Sequence, residues 1–319
     1  MTLANEFDRI ARHFRPLAGP AALDLGDDAA LLDPPPGLQL VVSADAMVAG
    51  VHFLPGDPPD LVARKLLRAN LSDLAAMGAD PLGYLLTVSV ARDTPEAWFA
   101  AFSAGLAADQ AEFGISLLGG DTTSTSGPVS LSLTIIGTVP RGEALRRGGA
   151  RPGDDIWVSG TIGDGALGLL AAQGTLADPD GFLADRYRLP RPRLALGRTL
   201  RGVATACLDV SDGLVQDVGH LCRAAGLGAV IEAGWVPLSA AAATAGAEHF
   251  ARCLTGGDDY ELAFAAPAAA AAAVRAAGIA VATPVTVVGR FAAGDPGVQV
   301  RRTDGTAPAL ASAGWDHFA

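Results

Sequence analysis

Six short strings set an aspartate beside glycine, serine or threonine, at the ends of predicted strands or in loops. They are Gly26-Asp27-Asp28, Ser43-Ala44-Asp45, Asn70-Leu71-Ser72-Asp73, Gly119-Gly120-Asp121-Thr122-Thr123, Asp209-Val210-Ser211-Asp212-Gly213 and Gly256-Gly257-Asp258-Asp259-Tyr260-Glu261. Between them the pattern alternates. Apolar runs predict strands at 38–45, 85–91, 115–121, 131–139, 154–160, 206–211, 228–233, 261–266 and 285–291. Helical spacing predicts helices at 3–15, 59–77, 95–113, 164–173, 212–225 and 268–277, with one more after the Pro/Arg segment 188–193. Strands and helices mixed in both halves make the class α/β or α+β. The basic, Gly-rich and apolar-poor stretch 140–153 is the best boundary, which divides the chain into domains 1–140 and 141–319.

Taken singly, each acidic string is an ordinary turn or N-cap aspartate. Together they fit cations that hold phosphate: carboxylates and hydroxyls supply hard oxygens, and glycine lets the backbone approach closely. Charge sharpens the point. The chain has 34 Asp+Glu against 23 Lys+Arg and a net charge of −11, and it holds 27 Asp, 22 Arg and a single lysine, Lys65. Such a chain cannot neutralise a triphosphate by side chains alone, so metals would do it and the aspartates would hold the metals. The same composition excludes a P-loop and a protein-kinase signature, both of which need a lysine in a motif absent here. An acidic surface also disfavours nucleic acid and anionic membranes as partners.

Other signals carry less. Gly163-Asp164-Gly165-Ala166-Leu167-Gly168 matches GxGxxG, but the 178–193 segment that follows is not a second strand ending in a ribose-binding acid, so a tight helix entry is the preferred reading. His52 is either a strand-end histidine or a donor to phosphate or substrate. Trp315 and Phe318 are either a core anchor or an aromatic wall for a heterocycle. Three cysteines without a CxxC fit a reducing compartment, and no apolar segment reads as a signal peptide or a membrane span, so the chain is expected to be soluble and cytoplasmic.

Several strings together resemble the thiamine-monophosphate kinase family, within the superfamily of aminoimidazole-ribonucleotide synthetase and selenophosphate synthetase. The resemblance runs nearly end to end, through EFDRIARHF, GDDAALL, AGVHF, NLSDLAAMGADP, LLGGDTT, ALRRGGARPGD, VSGTIGDGALGL, LDVSDGL, GGDDYEL and GWDHF. It implies two domains with a fold like aminoimidazole-ribonucleotide synthetase, each a mixed sheet with helices packed on it, and a homodimer formed through the N-terminal sheets. It also implies ATP-dependent phosphorylation of thiamine monophosphate to thiamine diphosphate by direct transfer. On this resemblance Mg²⁺ would be held by Asp28, Ser43, the Ala44 backbone, Asp45, Asp73, Asp121, Asp209 and Asp212. ATP would meet Gly120, Asp121, Arg147 and Ser211, and thiamine phosphate would meet His52, Asp258 and Trp315 or Phe318. No side chain is assigned as acid or base, because the acceptor is already a phosphate oxygen.

The chain departs from the family pattern at Ala44, where a threonine is usual, at Asp258, where a glutamate is usual, and at Ser124, where an arginine is usual. A sister synthetase using ATP, or a silent Mg-nucleotide-binding module, are the alternative readings. If several metals share one site, the carboxylates of Asp28, Asp45, Asp73 and Asp121 should converge on ions roughly 3.5–4 Å apart.

Overall fold

A computed structural model describes residues 6–316. The chain divides into two units, residues 1–74 with 80–141 and residues 75–79 with 142–319.

In the first unit, β1 (Leu38–Val48), β2 (Asp80–Val90), β3 (Ser116–Ser124) and β4 (Ser130–Pro140) form one sheet in the order β1-β4-β2-β3. β4 is antiparallel to both of its neighbours, and β3 runs parallel to β2 at the far edge. The alternation in β4 shows why these residues make a strand. Leu131, Leu133 and Ile135 are wholly buried, while the residues between them are half-exposed. Helices Pro59–Ala76 and Glu96–Phe113 supply the matching apolar stripes, with Leu66, Leu67, Leu71, Phe99, Phe102 and Leu106 inaccessible to solvent. A buried ion cluster ties the two helices together. Arg68 grips Asp109 through two bonds of 2.8 and 2.9 Å and reaches Glu112 at 2.6 Å, and Arg64 adds a bond of 2.7 Å to Asp109. Helix Glu96–Phe113 stops at Gly114, whose left-handed backbone returns its N–H to the Gln110 carbonyl.

The expected helix at 3–15 is not continuous. Its described part is an α-turn at Glu6–Arg9, a π-turn at Ile10–Phe14 and a 3₁₀ turn at Arg15–Leu17. Pro16, which lacks the N–H that a further α-turn would require, accounts for the final 3₁₀ turn just past the expected end, and the change to π winding at Ile10 lies upstream of it. The predicted loop after it also holds a turn, in which Leu23, Asp24 and Leu25 all have positive φ.

The second unit is a six-stranded sheet of β5 (Asp155–Ser159), β6 (Ala206–Val210), β7 (Gly228–Glu232), β8 (Glu261–Ala266), β9 (Val285–Ala292) and β10 (Gly297–Arg301), in the order β10-β7-β9-β5-β8-β6. Every residue of β5, β6 and β8 is buried, as expected of apolar runs covered on both faces. Ile156, Val158, Val210, Leu214, Val218 and Leu221 belong to its core. β10 was not foreseen. It is a short edge strand with one buried side chain, Val300, and its place is set by parallel pairing with β7.

Candidate functional site

The β1 edge builds the first acidic group. Val41 and Met47 are buried and alternate with exposed Leu40 and Val42, so Ser43 and Asp45 share the buried face, and the Ala44 methyl is turned to the open face. Helix Pro59–Ala76 brings Asp73 to that face, where Ser43 Oγ donates to Asp73 Oδ2 at 2.6 Å. Burial, and then the charge of Asp73, push the Asp45 carboxyl up to about 6. A carboxyl held up by burial beside a second carboxylate, with a hydroxyl next to them, forms a donor set suited to a hard divalent cation.

His52 follows β1 in a closed turn. Its N–H and that of Val51 donate to the Val48 carbonyl, and Gly50 N–H donates to the Phe53 carbonyl. The ring Nδ1 accepts the Val48 N–H at 3.0 Å, which leaves the proton of the neutral imidazole on Nε2. Lys65, the lone lysine, is buried, and its Nζ donates to the His52 carbonyl at 2.9 Å.

The second acidic group lies at the other edge. Asp28 and Asp121 line one cavity of about 190 Å³, together with Phe14, Leu25, Leu86 and Gly120. Here β3 presses on β2 so closely that a Cβ on Gly120 would sit 1.8 Å from the Leu86 carbonyl oxygen, which only glycine tolerates.

These two groups do not merge within the chain. Asp45 pairs with Leu133, Leu133 with Leu86, and Leu86 with Gly120, so β1 and β3 stand three strand spacings apart. At about 4.8 Å per spacing that is roughly 14 Å. The expected convergence of Asp28, Asp45, Asp73 and Asp121 is therefore corrected to two groups, Ser43/Asp45/Asp73 and Asp28/Asp121. The physical reason is the sheet order, which inserts β4 and β2 between the two acidic strands; Asp45 and Asp121 also lie inside β1 and β3, which run on to Val48 and Ser124, and not at the expected strand ends.

The second unit gathers the rest. Buried Asp209 is the penultimate residue of β6, and the turn after the strand is held by Asp217, whose Oδ2 accepts the N–H groups of Ser211, Asp212 and Gly213 at 3.0–3.1 Å. Burial pushes Asp217 up to about 7, those bonds pull it down, and the Asp212 charge adds to the rise. Asp212, Asp217 and His220 place ligand atoms within 4.8 Å of one another. Arg147, in an exposed 3₁₀ turn, faces the same helix. Burial first, then Arg223 and Arg147, hold the His220 imidazolium below its usual range, against the opposing pull of Asp212.

The Asp258 N–H donates to the Ser211 carbonyl at 2.9 Å, so the 256–261 loop lies against the Ser211–Asp212 turn. Trp315 is tied to that turn by its backbone. Its N–H donates to the Asp212 carbonyl at 2.9 Å, and its carbonyl accepts from Gln216 at 2.8 Å. Its side chain is 51% exposed, which rules out the core-anchor reading for this residue. Phe318 lies outside the described residues. Asp217 was missed in the sequence although it carries a signal, an acid in the first helical turn after Ser-Asp-Gly.

Comparison with known proteins bears on this arrangement. Residues 26–139 match the family model "AIR synthase related protein, N-terminal domain", and residues 151–301 match its C-terminal counterpart. The thiamine-monophosphate kinase of Caulobacter vibrioides is 48% identical over 298 residues, covering 91% of this chain and 85% of that protein. The crystal structure of thiamine-monophosphate kinase from Stenotrophomonas maltophilia is 44% identical, with a TM-score of 0.81 over 89% of this chain and 91% of that one. A structure described as AaThiL complexed with AMPPCP and TMP superimposes with a TM-score of 0.77 at 27% identity over 100% of both chains.

Proposed function

The chain belongs to the thiamine-monophosphate kinase family, and from that premise we propose that it transfers the γ-phosphoryl group of ATP directly to thiamine monophosphate, forming thiamine diphosphate in a Mg²⁺-dependent reaction. The observation that carries the reading is the β1 edge, where Ser43 Oγ donates to Asp73 Oδ2 at 2.6 Å and Asp45 shares the same face, so that two carboxyls and a hydroxyl crowd one place and burial, then Asp73, push Asp45 up. That strain is relieved by a cation and is built into a family whose members act on phosphates.

Ser43, Asp45 and Asp73 would hold Mg²⁺, with the Ala44 backbone between them, and Asp28 and Asp121 would hold it at the second edge. Asp209 and Asp212 would do so from the second unit. Bound Mg²⁺ supplies the positive charge that this lysine-poor chain lacks, and so neutralises the phosphates. Arg147 presents a guanidinium fork to phosphate oxygens of ATP, with Gly120, Asp121 and Ser211 beside the nucleotide. His52 donates from Nε2–H to the acceptor phosphate, while Asp258 and the terminal aromatics, Trp315 or Phe318, contact thiamine phosphate. The acceptor oxygen is already anionic, so positioning and charge stabilisation carry the step and no general base is required.

The same proposal includes a homodimer. Leu40, Val42 and Leu85 leave an apolar face of the first sheet 43%, 59% and 40% exposed. A cytoplasmic location fits three buried, free cysteines, and no helix among the described residues is long and apolar enough to cross a membrane.

The test is incubation of the purified protein with ATP, Mg²⁺ and thiamine monophosphate. Thiamine diphosphate and ADP should appear in equal amounts. ADP formed only with another acceptor, or ATP bound without turnover, refutes the reading.

A further inference from the structure

The Pro/Arg segment at 188–193 and the helix before it have no part in the scheme above, yet they converge on the loop that carries Asp258. In that loop Asp258 and Tyr260 both have positive φ, 71° and 51°, a conformation uncommon for residues with a side chain. The buried residues that alternate with them, Asp259 and Glu261, are both anchored. Asp259 accepts the N–H groups of Gly163 and Gly165 at 2.7 and 2.9 Å. Glu261 accepts from Arg193 through Nε at 2.6 Å and Nη2 at 2.5 Å, from Arg186 at 3.1 Å and from Ser159 at 2.5 Å. Arg186 also donates to the Asp259 carbonyl at 3.3 Å, so one guanidinium spans both sides of Tyr260. The fit leaves no slack: a Cβ on Gly165 would lie 2.3 Å from the Asp258 carbonyl. The GxGxxG string of the sequence is therefore a seat for this loop.

We infer that Arg186 and Arg193 are positioning residues for the substrate. Their joint hold on Glu261 keeps Asp258 and Tyr260 in the left-handed conformation that presents the Asp258 carboxylate. The inference rests on the proposed contact of Asp258 with thiamine phosphate. Two parallel N–H bonds to one carboxylate need a planar fork, which lysine cannot supply.

Arg193→Lys keeps the charge and removes the fork, and Glu261→Gln keeps the shape and weakens both pairs. Steady-state kinetics and amide hydrogen exchange are measured on each. We expect KM for thiamine monophosphate to rise about tenfold, KM for ATP to change less than about twofold, and exchange to quicken at Asp258 and Tyr260, whose N–H groups bond to the Ser211 and Val210 carbonyls. Unchanged exchange overturns the inference. So does a parallel rise in both KM values with a loss of thermal midpoint, which marks a merely structural role. Asp258→Ala, run beside them, separates the two ideas. An unchanged KM for thiamine monophosphate there defeats the assignment of Asp258, while the exchange result still judges the arginine clamp.

Discussion

Replacing Asp45 with asparagine should stabilise the metal-free protein at neutral pH while removing its activity. The Asp45 carboxyl rises from the ordinary 3.8 to about 6, through burial first and the adjacent Asp73 second. Between those two values the folded protein binds more protons at this site than the unfolded chain does. The stabilising contribution is complete below about pH 4 and is lost as pH rises through about 6. The rise corresponds to roughly 3 kcal/mol at about 1.4 kcal/mol per tenfold, an upper bound because Asp45 is only partly buried. Asparagine keeps the shape and sheds the charge. In EDTA its thermal midpoint should match wild type near pH 4 and exceed it by several degrees at pH 8. Added Mg²⁺ should raise the wild-type midpoint more at pH 8 than at pH 5, because binding displaces the proton, and should raise that of the variant far less. Turnover should fall at least about a hundredfold. A variant less stable than wild type at pH 8 without metal, or a difference that ignores pH, refutes the electrostatic account of this edge.

Three further outcomes follow from the geometry. Asp121→Asn should lower kcat at saturating Mg²⁺ by at least about a hundredfold, and near-normal turnover would remove Asp121 from the site. Gly120→Ala forces a Cβ into the Leu86 carbonyl; it should cost about 1–3 kcal/mol in urea unfolding and loosen the β2–β3 edge, which amide exchange would report. Asp217→Ala strands the three N–H groups that close the Ser211–Gly213 turn; it should cost about 1–3 kcal/mol, with Asp217→Asn recovering part of the loss in the same denaturation assay.

Much of this protein is written locally. β1 and helices Pro59–Ala76 and Glu96–Phe113 follow from period, because one buried face per element imposes a pattern on neighbouring residues, and β8 follows from an unbroken apolar run buried on both faces. The predicted end of the first helix before Pro16 is local too, whereas the change to π winding at Ile10–Phe14 carries no pattern in the apolar spacing. β10 escaped because GVQVR buries one side chain and owes its strand to a partner some seventy residues earlier.

The sequence by itself determined most of the element types, the six acidic strings, the scarcity of lysine, and the family. The tertiary structure decided which acids stand together. Asp73 reaches Ser43 because a helix returns over the sheet, and Asp121 stays apart from Asp45 because β4 and β2 lie between them. It also recruited Arg186 and Arg193 to Glu261 across 75 and 68 residues. Strand order and buried ion pairs are settled by pairing and burial between distant segments, and no local window of residues encodes them.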